Sequence, residues 1–396
     1  MVNSNALVSE RVHIGFFGTV NAGKSSLVNA VTGQNTALVS SVKGTTTDPV
    51  RKTMEILPLG PVVIIDTPGF DDMGELGMER IKRTKKVLDE IDVAVLVVDG
   101  ERGFSETDST LKELFETRKI SYIIAYNKAD LLQEHTQSES NAIYVSALTG
   151  ENIHEFKEML ARIAPEKREK GYVDSFVKKG DTVILVTPID EAAPKGRIIL
   201  PQQQVLRNLL DIGAIAVVVQ PAELSDALAK IKPDVVITDS QAFKEVNKAV
   251  PEEIPLTSFS ILMAKNRGFL EDAVKATTII NTLKDGDKIL IAEGCTHHRQ
   301  CNDIGTVKIP GWIRKSTGKE IIFDSVSGKD FPQDLSEYKI VIHCGGCMIN
   351  ENEVSARRNR AKEQGVPFTN YGTVIAHING ILKRSVEVFP DIYKSL

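Results

Sequence analysis

Eight residues constrain this chain more than any others. Gly18-Thr-Val-Asn-Ala-Gly-Lys-Ser25 fits the pattern G-x-x-x-x-G-K-[ST] at every fixed position. The apolar run Val12–Phe17 precedes it and a helical pattern over 26–32 follows, the strand, loop and helix setting that a phosphate loop requires. Its glycines let backbone amides close around phosphate oxygens, and the start of the helix adds a favourable dipole. Gly18, Asn21, Ala22, Gly23, Lys24, Ser25 and Ser26 therefore read as the phosphate cradle. Lys24 would reach the β- and γ-phosphates, and Ser25 would give an oxygen to Mg²⁺.

Three further motifs follow in the order that a guanine nucleotide needs. Asp66-Thr-Pro-Gly69 ends an apolar run over 62–65, which places a carboxylate near the metal and a glycine amide, that of Gly69, near the γ-phosphate. Asn127-Lys-Ala-Asp130 ends the run 122–126. Asp130 can accept from both N1 and N2 of guanine, donors that adenine lacks, with Asn127 and Lys128 beside it. Ser146-Ala-Leu148 follows the run 143–145 and supplies Ser146 and Ala147 as the last base-contacting loop. Taken together these motifs resemble the translation-factor-related GTPases, in the branch of tRNA-modifying and ribosome-assembly enzymes. In that branch Gly44-Thr-Thr-Thr-Asp48 looks like the first switch, with Thr46 the Mg²⁺ ligand and Thr45 and Thr47 competing for the role. Phe70 stands where a water-orienting Gln is usual, so intrinsic hydrolysis should be slow. Asn21 matches the asparagine that binds K⁺ in potassium-activated relatives, although a turn also favours Asn.

The rest of the chain is too long for one core. Its 396 residues divide by pattern into 1–167, 175–265 and 268–396, each reading as α/β with parallel strands, and no strict internal repeat is visible. In the second segment strands are expected over Thr182–Val186, 214–219, Val235–Thr238 and 256–259, and in the third over Lys288–Ala292, 320–323, 340–343 and 366–369. A formal net charge of −5 argues against a dedicated nucleic-acid binder. No apolar run is long enough to span a membrane, and residues 1–10 lack the apolar core of a signal peptide, so a cytoplasmic protein is expected.

All four cysteines fall after residue 294, as Cys295, Cys301, Cys344 and Cys347. In a cytosolic chain such clustering points to metal before disulfides. Gly294-Cys295-Thr-His297-His298 and His343-Cys344-Gly-Gly-Cys347 each follow an expected strand, and loops at the carboxyl ends of parallel strands should converge. Cys344 and Cys347 can chelate one centre, with Cys295 as the next ligand and Cys301, His297 and His343 in reserve. One Cys-x-x-Cys knuckle is too few for a closed zinc site, and three thiolates with a looser fourth position suit a 4Fe–4S cluster better. The fourth position could take His297, His343, a carboxylate such as Glu387, or solvent. Arg357-Arg-Asn-Arg360 could attract an anion, but reads first as a solvated helix face.

A phosphate-loop GTPase followed by Cys-x-His and, with 45 residues between His297 and His343, His-Cys-x-x-Cys resembles the HydF family, the maturation GTPases of FeFe-hydrogenase. The resemblance covers the whole chain. It implies an N-terminal GTPase domain, a central α/β dimerisation domain and a C-terminal α/β iron–sulfur domain. It further implies a homodimeric scaffold that receives a di-iron precursor from two radical-SAM enzymes and delivers it to apo FeFe-hydrogenase. Cys295, Cys344 and Cys347 then match the cluster ligands, and His297 and His343 the motif histidines. The alternative is a GTPase with a zinc-stabilised C-terminal domain that acts in RNA or ribosome assembly.

GTP hydrolysis should be slow, should need Lys24 and Mg²⁺, and should run faster in K⁺ than in Na⁺. Equal rates in the two salts, with GTP bound normally, would remove the role given to Asn21.

Overall fold

A computed structural model describes residues 11–33, 49–69, 84–133, 140–165, 171–189, 198–294 and 303–396. Thr46 with the rest of 44–48, Phe70, Cys295, His297, His298 and Cys301 lie outside the described residues. Contacts divide the chain into two compact units, Met1–Arg168 with Asn350–Glu353, and Glu169–Ile349 with Val354–Leu396.

The first unit is built on β1 (Val12–Phe17), β2 (Val50–Ile56), β3 (Gly60–Asp66), β4 (Val93–Asp99), β5 (Ser121–Asn127) and β6 (Ala142–Tyr144), in the order β2-β3-β1-β4-β5-β6. Helices α1 (Lys24–Thr32) and α2 (Glu106–Thr117) lie between its strands, and α3 (Ile153–Ile163) follows β6. Every residue of β1 and β4 is buried, as expected of strands covered on both faces. β2 was not expected from sequence. It runs antiparallel to β3, from Val50 opposite Asp66 to Ile56 opposite Gly60. As an edge strand it interleaves exposed polar residues with partly buried ones, so it shows no apolar run.

The second unit holds two parallel sheets. β7 (Thr182–Val186), β8 (Ile215–Val219), β9 (Val235–Thr238) and β10 (Leu256–Ser258) lie in the order β10-β9-β7-β8. They are connected through α4 (Leu200–Ile212), α5 (Leu224–Lys230) and α6 (Phe243–Ala249), and α7 (Phe259–Asn266) and α8 (Leu270–Ala276) follow. β11 (Lys288–Ala292), β12 (Ile322–Val326), β13 (Tyr338–His343) and β14 (Phe368–Asn370) lie in the order β12-β11-β13-β14, with α9 (Ile309–Thr317), α10 (Glu351–Glu363), α11 (Tyr371–Ile378), α12 (Leu382–Ser385) and α13 (Pro390–Lys394). Several expected boundaries move by one to three residues, at β8, β10, β12, β13 and β14. Phe259 opens α7 rather than ending β10, because the Ser258 hydroxyl accepts from Ile261 N (3.4 Å) and caps the helix. Glu320 is in the loop before β12, where its N–H bonds to Asp285 Oδ1 (2.8 Å).

Numbered from their own first strands, the two sheets have the same order, and their backbone bonds match although the sequence shows no strict repeat. Val236 N donates to Pro255 O (2.9 Å) as Val341 N does to Pro367 O (2.9 Å). Ile215 N donates to Asp181 O (2.8 Å) as Ile322 N does to Asp287 O (3.0 Å), and Thr187 N to Val219 O (2.8 Å) as Glu293 N does to Val326 O (2.9 Å). Short sequence remnants accompany them: Gly180-Asp181 and Gly286-Asp287, then Pro255-Leu-Thr-Ser-Phe259 and Pro367-Phe-Thr-Asn-Tyr371. No helix of the described residues is long and apolar enough to cross a membrane.

Arg384 on α12 closes the end of α6. Its guanidinium donates to Asn247 O (3.2 Å), Asn247 Oδ1 (2.9 Å), Val250 O (3.0 Å), Pro251 O (2.6 Å) and Ile254 O (3.3 Å), satisfying carbonyls that a helix end leaves open. Arg384→Ala should lower stability to urea by about 2–4 kcal/mol, with Arg384→Lys recovering less than half because an ammonium lacks the fork. A loss below about 0.5 kcal/mol would mean that water replaces the guanidinium at no cost.

Candidate functional site

The loop between β1 and α1 depends on backbone that side chains cannot take. Gly18 has φ 140°, and a Cβ there would lie 2.1 Å from Val97 O; Gly23 has φ 89°, and a Cβ there would meet Asn127 Nδ2 at 2.1 Å. Gly23 offers α1 no side-chain cap, which leaves the first helical amides for a ligand. Lys24 is buried, and its ammonium donates to Gly18 O (3.0 Å) and Thr19 O (2.8 Å), folded over the loop it would share with phosphate. Asn21 and Ser26 are exposed, and Asn21 takes a left-handed conformation (φ 66°). Ala22 is fully buried.

Ser25 Oγ donates to Asp66 Oδ2 (2.8 Å) at the end of β3. The other carboxylate oxygen, Oδ1, is buried and accepts no hydrogen bond among the described residues. Burial raises the Asp66 carboxyl above its ordinary range, against the pull of the Ser25 hydroxyl and of Lys24 and Lys52. A hard hydroxyl oxygen beside a desolvated carboxylate fits Mg²⁺, with Asp66 acting through water. Gly69 packs against Val20, where a Cβ would lie 2.4 Å from Val20 Cγ2.

Asn127 ties the base side to the phosphate side. Its amide donates to Ala22 O (3.0 Å) and accepts from Ala147 N (3.1 Å). Asp130 is exposed and accepts from the Ser146 hydroxyl. Lys128 turns back to Asp99 Oδ2 (2.6 Å). Asp99 was missed in the sequence, although it ends the longest buried strand.

At the carboxyl end of the last sheet, Cys344 N donates to Ala292 O (2.8 Å), and Cys344 Sγ accepts from Gly294 N (3.1 Å) and Gly346 N (3.3 Å). The ends of β11 and β13 therefore meet at this sulfur. Burial raises both thiols, that of Cys347 to about 11, and a metal bound there would draw off their protons. Thiolates held by amide donors fit an iron–sulfur cluster. Among the described residues no three His, Cys, Asp or Glu are grouped to hold a metal ion; Cys295 lies outside them.

His343 is fully buried with both ring nitrogens engaged, Nδ1 on Cys344 O (2.7 Å) and Nε2 on Arg357 Nη1 (3.2 Å). An arginine only donates, so Nε2 accepts and Nδ1 carries the proton. Burial, with the charge of Arg357, holds the ring down to about 3. Arg357 corrects the reading of 357–360 as a solvated face: it is 3% exposed and stacks over Phe331 at 5.3 Å, because it supports His343 from within. Glu387 accepts from Leu256 N (3.1 Å) at the start of β10, the opposite end of a strand from the one where ligands gather. Sequence reasoning also missed Tyr371, a buried phenol that donates to buried Glu293 (3.3 Å).

The Hydrogen maturase F dimerization domain model matches residues 172–268, and the Hydrogen maturase F tetramerization domain model matches 271–388. Together they cover more than half of the chain. A model described as 50S ribosome-binding GTPase matches 13–128. GTPase Der of Campylobacter hominis is 34% identical over 168 residues, 38% of this chain and 36% of the relative. The tRNA modification GTPase MnmE of Dechloromonas aromatica is 34% identical over 166 residues, 40% of this chain and 36% of the relative. The chain thus spans little more than a third of these curated relatives. Among solved structures, Aquifex aeolicus Era is 18% identical, with 52% of this chain and 93% of that chain covered and a TM-score of 0.36. The G domain of T. maritima FeoB is 25% identical, with 39% and 98% covered and a TM-score of 0.31. With a GTPase domain first and both maturase domains after it, this chain belongs to the HydF family of hydrogenase-maturation GTPases.

Proposed function

We propose that this chain is a GTP-hydrolysing scaffold that holds a 4Fe–4S cluster and delivers a di-iron unit to apo FeFe-hydrogenase, with two radical-SAM enzymes making that unit. The observation that carries the cluster reading is the Cys344 sulfur, which accepts amide protons from Gly294 and Gly346 at the meeting of two strand ends. Cys295 is the next residue after Gly294, so the same convergence supports Cys295, Cys344 and Cys347 as the three thiolates. When bound, the cluster supplies an iron with a replaceable ligand, at which the cargo can dock. The chain's own residues fix the sulfurs, dry the site and keep His343 neutral against Cys344.

On the nucleotide side, Lys24 and the Gly18–Ser25 amides hold the phosphates, Ser25 and Thr46 hold Mg²⁺, and Asp66 holds its water. Gly69 faces the γ-phosphate, Asn21 takes K⁺, and Asn127, Lys128, Asp130, Ser146 and Ala147 select guanine. We assign GTP handling to 1–167, dimerisation to 175–265 and the cluster to 268–396. The edge strand β8 leaves Ile215 and Val218 exposed beside a ladder edge that no strand of the described residues pairs, which supports a homodimer joined at that edge.

After anaerobic reconstitution the parent should hold about four iron and four sulfide per chain. Cys344→Ser and Cys347→Ser should each lose most of both while still binding GTP. Zinc without sulfide in the parent would overturn the cluster reading in favour of an RNA- or ribosome-directed GTPase.

A further inference from the structure

The loop that carries Cys344 and Cys347 turns on its own backbone, with Gly346 N on Cys344 Sγ (3.3 Å) and Ile349 N on Gly346 O (3.2 Å). Gly346 takes φ 64°, and a Cβ there would lie 3.1 Å from Val354 Cγ2 and 3.4 Å from His343 Cε1. The turn is thus laid against the His343 ring and the start of α10. Each end of it is also tied to an arginine from outside the loop. At the start, His343 Nδ1 donates to Cys344 O (2.7 Å), and Arg357 Nη1 donates to the far side of the ring at Nε2 (3.2 Å). Arg357 Nη2 in turn donates to Gly328 O, and the guanidinium lies over the Phe331 ring. At the other end, Arg267 Nη2 donates to Ile349 O (3.1 Å).

Arg267 follows α7, where its N–H bonds to Met263 O (3.0 Å), and the next carbonyl, that of Gly268, accepts from Arg358 Nη1 on α10 (3.0 Å). The two arginines come from different parts of the sequence. Arg357 lies with the cysteines in the segment matched by the tetramerization model, whereas Arg267 lies in the segment matched by the dimerization model. The central segment therefore supplies a side chain to the cysteine loop. The charges are felt at sulfur as well. Burial leads in raising the Cys344 thiol, the Gly294 and Gly346 amides pull it down, and Glu293 and Arg357 then act in opposite senses. Burial and then Cys344 raise the Cys347 thiol, and Arg267 pulls it down.

We propose that Arg267 and Arg357 are positioning residues for the cluster: they clamp the Cys344–Cys347 loop from its two ends and set fixed positive charge against the cluster's negative one. This rests on the cluster reading above. Neither arginine has to touch iron. A 4Fe–4S cluster on three thiolates is an anion, and more so once reduced, and its potential follows net charge and the hydrogen bonds around its sulfurs. Burial makes the added electron costly, and a fixed cation nearby offsets that cost. The arginines thus ease reduction while they hold the chelating sulfurs in place.

In the full chain, reconstituted anaerobically, Arg267→Gln should keep about four iron per chain and become harder to reduce. At the potential where half of the parent is reduced, the ratio of reduced to oxidised cluster, read by EPR, should fall about tenfold. That is the order of effect of one unit charge at an effective dielectric constant of about 20, and for one electron it equals a shift of about 59 mV. Arg267→Lys, which keeps the charge, should recover most of the ratio. Arg357→Gln should move the potential in the same direction, and the double variant further than either single one. If Arg357→Gln does not fold, the two Arg267 variants decide the matter. A parent-like potential in Arg267→Gln with its iron intact would overturn the proposal, as would an equal shift in Arg267→Lys. Loss of the cluster from both Arg267 variants would leave the arginine a structural strut and overturn it too. A parent that takes up no iron and sulfide would instead overturn the cluster reading itself.

Discussion

The amide of Asn127 spans two loops, donating to Ala22 O in the phosphate loop and accepting from Ala147 N beyond β6. One planar group thereby sets the distance between the part of the site that meets phosphate and the part that meets the base. The consequence is felt at Gly23, where the amide nitrogen occupies the space that any side chain would need. Lys24 is held in a similar way, by two carbonyls of its own loop. The phosphate loop is thus tied to the base side and to itself by the chain's own groups.

The cysteine end works by the opposite economy. There burial dominates around sulfur, although Glu293, Arg357 and Arg267 stand close enough to act on the thiols. His343 is kept neutral by burial and by an arginine that is itself enclosed, and the thiols are raised above the ordinary range. Such a pocket resists becoming anionic until a metal compensates it. The amides of Gly294 and Gly346 then become useful, because N–H donors favour sulfur as a thiolate.

Much of this was legible in the chain. Strands buried on both faces, such as β1 and β4, announce themselves as unbroken apolar runs, and the phosphate loop is specified by residue types that its backbone demands. What escaped was polar or paired. β2 is an edge strand whose exposed side chains interrupt the pattern. Arg357 looked like one of several surface cations, and nothing in a run of arginines says which one turns inward to meet a histidine 14 residues earlier. Asp99 was invisible for the same reason: its role lies in a partner on the neighbouring strand, and the pairing of β4 with β5 is a property of the fold.

The second unit uses one strand order twice, and the two uses differ in the side chains at the strand tips. Asp239 N donates to Val186 O (3.2 Å) as Cys344 N donates to Ala292 O, so Asp239 stands where Cys344 stands, Ala242 where Cys347 stands, and Thr187 where Glu293 stands. The same scaffold carries a carboxylate and a methyl group at one address and two thiols at the other. Ligand choice and sheet geometry are thus separable in this protein: the ladder bonds come from backbone, and identity at the strand tips is free to drift. One backbone ladder thus presents a carboxylate at the tip of one sheet and two thiols at the tip of the other, so the chemistry of each tip is set by side chains that the ladder bonds do not involve.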